Sequence, residues 1–239
     1  MLQKCMLLPA TPANLLLESL PRKEHDRLLD LCETVELIYG DILCEYHQPF
    51  RHVYFPLSGF ISLVTSVEGH PPLEMGLIGN EGMVGIKLVL GVDSSPFRGM
   101  VLGAGTALRM SAPQLRRELR HSPPLLRTLN RHLYLLIAQL SQSVACNRFH
   151  EVEPRLARWL LMTHDRANAD QFYLTHQYLA DMLGVQRSAV TIAAGALQKQ
   201  RLIRYTRGEI TVLNRSGLET VSCECYAAVN DCYQQLFIE

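Results

Sequence analysis

Residues 175–213, THQYLADMLGVQRSAVTIAAGALQKQRLIRYTRGEITVL, constrain this chain more than any other stretch. Thr175 suits a helix N-cap, and Leu179, Met182 and Leu183 fall on one face of the helix that would follow. Ala180 is small where two helices must cross closely, and Gly184 tolerates the positive φ of a tight turn. A second helix begins near Gln186. Val190, Ala193, Ala194 and Leu197 then face inward, leaving Gln186, Arg187, Ser188 and Thr191 for base edges or phosphates. Residues 202–205 and 210–213 read as two short strands turning at Thr206, Arg207 and Gly208. The spacing predicts a winged helix-turn-helix whose residues 186–197 enter a DNA major groove. A helical hairpin in an ordinary core shares some of these offsets, but not the cap, the wing and the charge together.

A formal net charge of zero conceals a gradient. Between residues 186 and 215 stand Arg187, Lys199, Arg201, Arg204, Arg207 and Arg215, opposed by Glu209 alone. Phosphate attraction needs only such a local field, so double-stranded DNA is the expected partner. With 48% hydrophobic residues over 239 positions, the chain has ample material for a globular core. No run of 18 apolar residues occurs and no leader pattern opens the sequence, which predicts no membrane partner and a cytoplasmic location. The seven cysteines, Cys5, Cys32, Cys44, Cys146, Cys223, Cys225 and Cys232, are odd in number and irregularly spaced, and read as reduced thiols. Cys223 and Cys225 could supply two metal ligands. No second pair lies at zinc-site spacing, and the remaining cysteines are too scattered for an iron–sulfur cluster, so no metal is expected.

From His25 to Met110 the pattern is short apolar or alternating runs broken by Gly and Pro: VELIY, ILCEY, HVYFP, FISLVTSV, LEMGLIG, MVGIKLVLG and RGMVLGAGTALRM. These predict an antiparallel β-barrel or roll, with residues 14–31 as short helical pieces leading in. A short helix at 111–120 precedes a longer one opened by Pro123-Pro124. Leu126, Leu129, Leu133, Leu136 and Leu140 recur along it at intervals of three and four, a coiled-coil seam or a core stripe. A downstream helix-turn-helix favours the seam, because two half-sites need two readers. Residues 147–150 read as a polar break, 152–167 as an amphipathic helix with Leu156, Trp159, Leu160 and Met162 on its apolar side, and 216–237 as helix packed on the winged helix. The expected organisation is α+β, with a sensor roll over 1–112, a dimerisation helix over 113–146 and a DNA-binding domain over 147–239.

LTHQYLADMLGVQRSAVT, LIRYTRGEITVLNRSGLE and VACNRFHEVEPRLARWLL together resemble the Crp/Fnr family of bacterial transcription regulators, over nearly the whole chain. The resemblance implies a cyclic-nucleotide-binding-like β-roll, a dimer helix and a winged helix-turn-helix, acting as a homodimer on a near-palindromic operator and touching RNA polymerase. Arg187 matches the family's guanine-reading arginine, whose fork fits O6 and N7. Ser188 and Ile192 stand where the cyclic-AMP receptor branch has a glutamate and a second arginine, so a different operator is implied. Thr175, Gln177, Gln186 and Thr191 are candidates for phosphate or secondary base contacts, and Arg204 and Arg207 for phosphates.

The effector region departs from that branch. Its Gly-Glu-x-Gly cassette corresponds here to Gly82-Met83-Val84-Gly85, with methionine at the ribose-binding glutamate, and Arg98 is out of register for a cyclic phosphate. Gly82, Gly85 and Arg98 are the candidate effector residues, cyclic AMP is not expected as a cofactor, and an unknown small molecule stays open. Two alternatives remain: a cyclic-nucleotide-dependent regulator, and a cupin-like metalloenzyme with an accessory DNA-binding domain. Against an enzyme, His47, His52 and His70 lack the metal-site pairing of a cupin, and no nucleophile elbow, Walker loop or dinucleotide fingerprint occurs.

Overall fold

Asn14 anchors the first ordered turn of the chain. Its side-chain oxygen accepts from the Leu17 N–H at 3.1 Å, and its amide donates to the carbonyls of Pro56 and Gly82, both at 2.9 Å. The structure, a computed structural model, describes residues 12–167 and 169–237; Cys5 lies outside them. Helices α1 (Leu15–Glu18) and α2 (Arg22–Leu29) lead into seven strands: β1 (Glu33–Leu37), β2 (Ile42–Cys44), β3 (His52–Pro56), β4 (Phe60–Thr65), β5 (Leu73–Ile78), β6 (Arg98–Gly103) and β7 (Gly105–Ser111). They form two antiparallel sheets, β1-β7-β3 and β2-β6-β4-β5, the roll that the turn-punctuated runs predict. One run differs. MVGIKLVLG holds a 3₁₀ helix, Ile86–Leu90, because Gly85 and Gly91 flank it at φ 98° and 73° and break the extended path.

Strand β4 shows how the two halves of the chain meet. Phe60 through Val64 are all buried, although a roll strand ordinarily shows one face to water. Ile61 and Leu63 point into the roll core with Val53, Phe55, Val101 and Met110. Phe60 points the other way, joining Leu77 and Leu102 in the core of the C-terminal half. The outer face of the second sheet is therefore the floor on which the C-terminal domain rests.

A capping box between Ser111 and Gln114 starts α3 (Ala112–His121), and Ser122 with Pro123 starts α4 (Pro123–Phe149). Then come α5 (Val152–Ala167), β8 (Gln171–Tyr173), α6 (His176–Leu183), α7 (Arg187–Lys199), β9 (Ile203–Thr206), β10 (Glu209–Val212), α8 (Arg215–Val221) and α9 (Cys225–Phe237). The expected break at 147–150 is narrower: α4 runs on to Phe149 and ends at His150. Strand β8, not expected from the sequence, pairs with β10 and makes the wing sheet three-stranded, in the order β8-β10-β9. α8 packs on α5 as expected, but α9 lies chiefly along α4.

The stripe on α4 also needs correction. Leu129 and Leu136 are buried in this chain's own roll core, and Leu133 and Leu140 pack against the same core. The helix must bury one face on its own domain, and those leucines form that face; Leu126 lies at its exposed margin. The apolar residues that α4 turns outward are Tyr134, Ile137, Val144 and, at its end, Phe149.

Candidate nucleic-acid interface

Thr175 caps α6 by accepting the Tyr178 N–H at 3.1 Å, and Gly184 ends that helix at φ 64°. Leu179, Ala180, Met182 and Leu183 of α6 are buried, as are Val190, Ala193, Ala194 and Leu197 of α7. The small residues let the helices cross closely, and Gln186, Arg187, Ser188, Thr191 and Ile192 are left in the open. In the wing turn, Arg207 and Gly208 take φ 51° and 92°, the two positive values of a type I′ hairpin. A Cβ on Gly208 would stand 2.8 Å from the Tyr173 ring, so glycine is required both for its backbone and for its size.

These elements enclose an open concavity of about 500 Å³ lined by Thr175, His176, Gln177, Arg187, Tyr205, Arg207 and Gly208. Four residues expected to meet DNA, Thr175, Gln177, Arg187 and Arg207, thus converge on one hollow. Gln186 and Ser188 stand beside Arg187 at the start of α7, and Arg204 is exposed on β9. Thr191 is partly committed elsewhere: its hydroxyl donates to the Arg187 carbonyl at 3.0 Å and its oxygen accepts from His176 Nδ1 at 3.0 Å. Gln177 donates to Asp181 at 2.8 Å, one turn along α6.

His176 and Tyr205 belong to this surface without having been singled out by motif. Their rings stack at 4.1 Å and join the recognition elements to the wing. Burial, then the charge of Arg187, lowers the His176 pKa and keeps the ring neutral. Arg215 departs from the basic cluster of the sequence. It pairs with Asp165 at 2.7 Å and Glu219 at 3.1 Å, an internal lock between α8 and α5. The exposed arginines of the recognition helix and wing carry the field.

The candidate effector residues meet three different neighbours. A Cβ on Gly82 would lie 2.5 Å from His132 of α4, and one on Gly85 would lie 2.7 Å from Val53 of β3. Arg98 is held by Glu45 at 3.0 and 3.1 Å. Cys146 and His150, at the end of α4, stand against Cys223 and Cys225, a second pair of possible ligands that linear spacing does not show.

A β-roll joined by a long helix to a winged helix-turn-helix with an exposed basic face is an arrangement suited to binding DNA. Residues 154–221 match the family model of the Crp-like helix-turn-helix domain. The chain is 28% identical over 181 residues to the Global nitrogen regulator of Synechocystis sp., across 71% of this chain and 80% of that protein. It is 27% identical over 175 residues to the Global nitrogen regulator of Nostoc sp., across 69% and 78%. Two solved structures share the fold. FixK2 from Bradyrhizobium japonicum superposes with a TM-score of 0.68 at 14% identity, covering 80% of this chain and 98% of that one. A Crp/Fnr-family transcriptional regulator from Thermus thermophilus gives 0.66 at 23%, with the same coverage. Residues 154–221 are thus similar to a Crp-like helix-turn-helix domain, and the fold around them is shared with solved Crp/Fnr-family regulators. No helix among the described residues is long and apolar enough to cross a membrane.

Proposed function

We propose that this regulator works in the cytoplasm as a homodimer that reads a two-fold operator by inserting α7 into successive major grooves. The convergence of Arg187, Thr175, Gln177 and Arg207 on one open basic hollow carries this reading. Arg187, free at the first turn of α7, presents its fork to a guanine. Ile192, 74% exposed on the same helix, offers an apolar side chain that can meet a thymine methyl. Arg204 and Arg207 take phosphates on either side of the wing. Tyr134, Ile137 and Val144 are spaced three and seven apart on the outer face of α4, and this exposed seam joins two copies.

The roll senses a small molecule other than a cyclic nucleotide, or relays contact with RNA polymerase, through α4. Glu45 already occupies Arg98, and the ribose acceptor is absent. Selection of bound duplexes from a random DNA pool at moderate salt, without ligand, tests the reading. An enriched palindrome with half-sites about 10 base pairs apart, centre to centre, is expected. Enrichment of single half-sites would count against the dimer, and no enrichment with or without candidate ligands would count against sequence-specific reading.

A further inference from the structure

Cys146 and His150 lie one turn apart at the end of α4; Cys223 lies in the turn after α8 and Cys225 opens α9, with Glu224 between them. Their three sulfurs and one ring nitrogen all fall within 4.8 Å of one another. Cys146 and Cys225 are fully buried and Cys223 is 6% exposed, yet the three belong to neither apolar core and form a cluster of their own. We propose that these four residues bind one zinc ion as a closed Cys₃His structural site that fastens the C-terminal helices to the end of the dimer helix.

The spacing suits a mononuclear tetrahedral site. With Zn–S near 2.3 Å and Zn–N near 2.0 Å, ligand atoms stand about 3.5–3.8 Å apart. Here Cys146 Sγ and Cys223 Sγ are 3.5 Å apart, as are Cys225 Sγ and His150 Nδ1. In a [4Fe–4S] cluster each cysteine holds a different iron, and in a [2Fe–2S] cluster the four ligands are split between two irons; either spreads the full set of four further than one metal does. The surroundings fit as well. His150 Nε2 faces Glu224 at 3.1 Å, which fixes the proton on that nitrogen and leaves the Nδ1 lone pair facing the sulfurs. Gln142 donates to Cys225 Sγ at 3.0 Å. Zinc-bound histidines commonly carry such a carboxylate on the far nitrogen. Zinc with three thiolates and a neutral imidazole leaves one negative charge, and Arg158 and Arg155 of α5 are close enough to oppose it. Binding releases the protons still held by the thiols.

The site sits where α4 ends and the DNA-binding domain begins. A zinc there would hold α9 along α4 and set the angle at which the domain leaves the dimer helix. The test uses the full chain, without a histidine tag, purified without chelator from cells supplied with zinc and iron. Elemental analysis should find about one zinc per chain, and Co(II) in its place should show tetrahedral d–d bands with thiolate charge transfer. C146S, C223S and C225S should lose the metal and C232S should keep it; E224Q should weaken retention against a chelating indicator about tenfold. If the serine variants do not fold, the wild-type zinc content and cobalt spectrum decide alone. Folded wild-type protein that holds no zinc and gives no such cobalt spectrum overturns the proposal, as does iron with acid-labile sulfide or a Cys146–Cys223 disulfide in place of metal. Metal content is read independently of DNA binding, so its failure leaves the operator reading untouched.

Discussion

Arg187 and the wing arginines contribute to binding by different physics, and substitutions separate them. Arg187→Ala should remove one bidentate base contact, costing about 1–3 kcal/mol at its cognate base pair and relaxing sequence preference there. Arg204→Ala or Arg207→Ala should weaken binding to all duplexes and lower the salt slope by about one unit each, read from titrations at several salt concentrations. Retained specificity in Arg187→Ala would mean that α7 is not the reading helix. Gly82 illustrates a residue whose role changes with its neighbours. A candidate effector residue by sequence, it is also the point where the roll touches His132, whose Nε2 accepts the Met83 N–H at 3.3 Å. Gly82→Ala should therefore destabilise the fold by about 1–3 kcal/mol in urea titration, because a Cβ would enter the ring's space.

Among the elements, α4 carries two faces with separate tasks. Its inner face, with Leu125, Leu129 and Leu136, completes the roll core; its outer face leaves Tyr134 and Ile137 more than half exposed. In the proposed dimer, Ile137→Lys would place like charges near each other across the two-fold seam. The dimer dissociation constant should rise at least about tenfold, some 1.4 kcal/mol, by sedimentation, with the fold retained. An unchanged constant would move the dimer contact off this face. The periodicity of three and four was legible in the sequence. Which of two adjacent stripes faces the core was not, since both run along one helix and only the position of the roll distinguishes them.

For the whole molecule, the decisive contact is the docking of the C-terminal domain on the roll. Trp159 of α5 donates to Glu74 of β5 at 2.7 Å, Ser62 donates to the other carboxylate oxygen at 2.7 Å, and Arg166 reaches Glu81 at 2.7 Å. Burial pushes the Glu74 carboxyl up to about 7, against the pull of Ser62, Trp159, Arg166 and Arg158. A folded pKa raised above the unfolded one means a contribution that is complete below the ordinary carboxylate range and is lost as pH rises through about 7. The melting temperature of the wild type should therefore fall relative to Glu74→Gln between about pH 5 and pH 8. Parallel profiles for the two proteins would show that Glu74 titrates as an ordinary carboxylate. Because this contact joins the roll to the winged-helix domain, the same substitution tests whether DNA affinity follows it.

The amino-acid sequence by itself determined the elements whose rules are local. Thr175 as cap, Gly184 and Gly208 as turn residues and the inward set Val190, Ala193, Ala194 and Leu197 follow from hydrogen bonding, φ preference and helical period within a few residues. It also determined the chemistry available at the reading face, because Arg187, Arg204 and Arg207 lie on elements whose exposed sides those periods define. Only the tertiary structure decided contacts between distant segments. Capture of Arg215 in an ion-pair lock, the pairing of Arg98 with Glu45, the inward turn of Leu129 and Leu136, and the meeting of Cys146 and His150 with Cys223 and Cys225 all depend on how whole elements pack. Packing sums many weak contacts across long sequence separations, and spacing along one chain segment does not encode that sum.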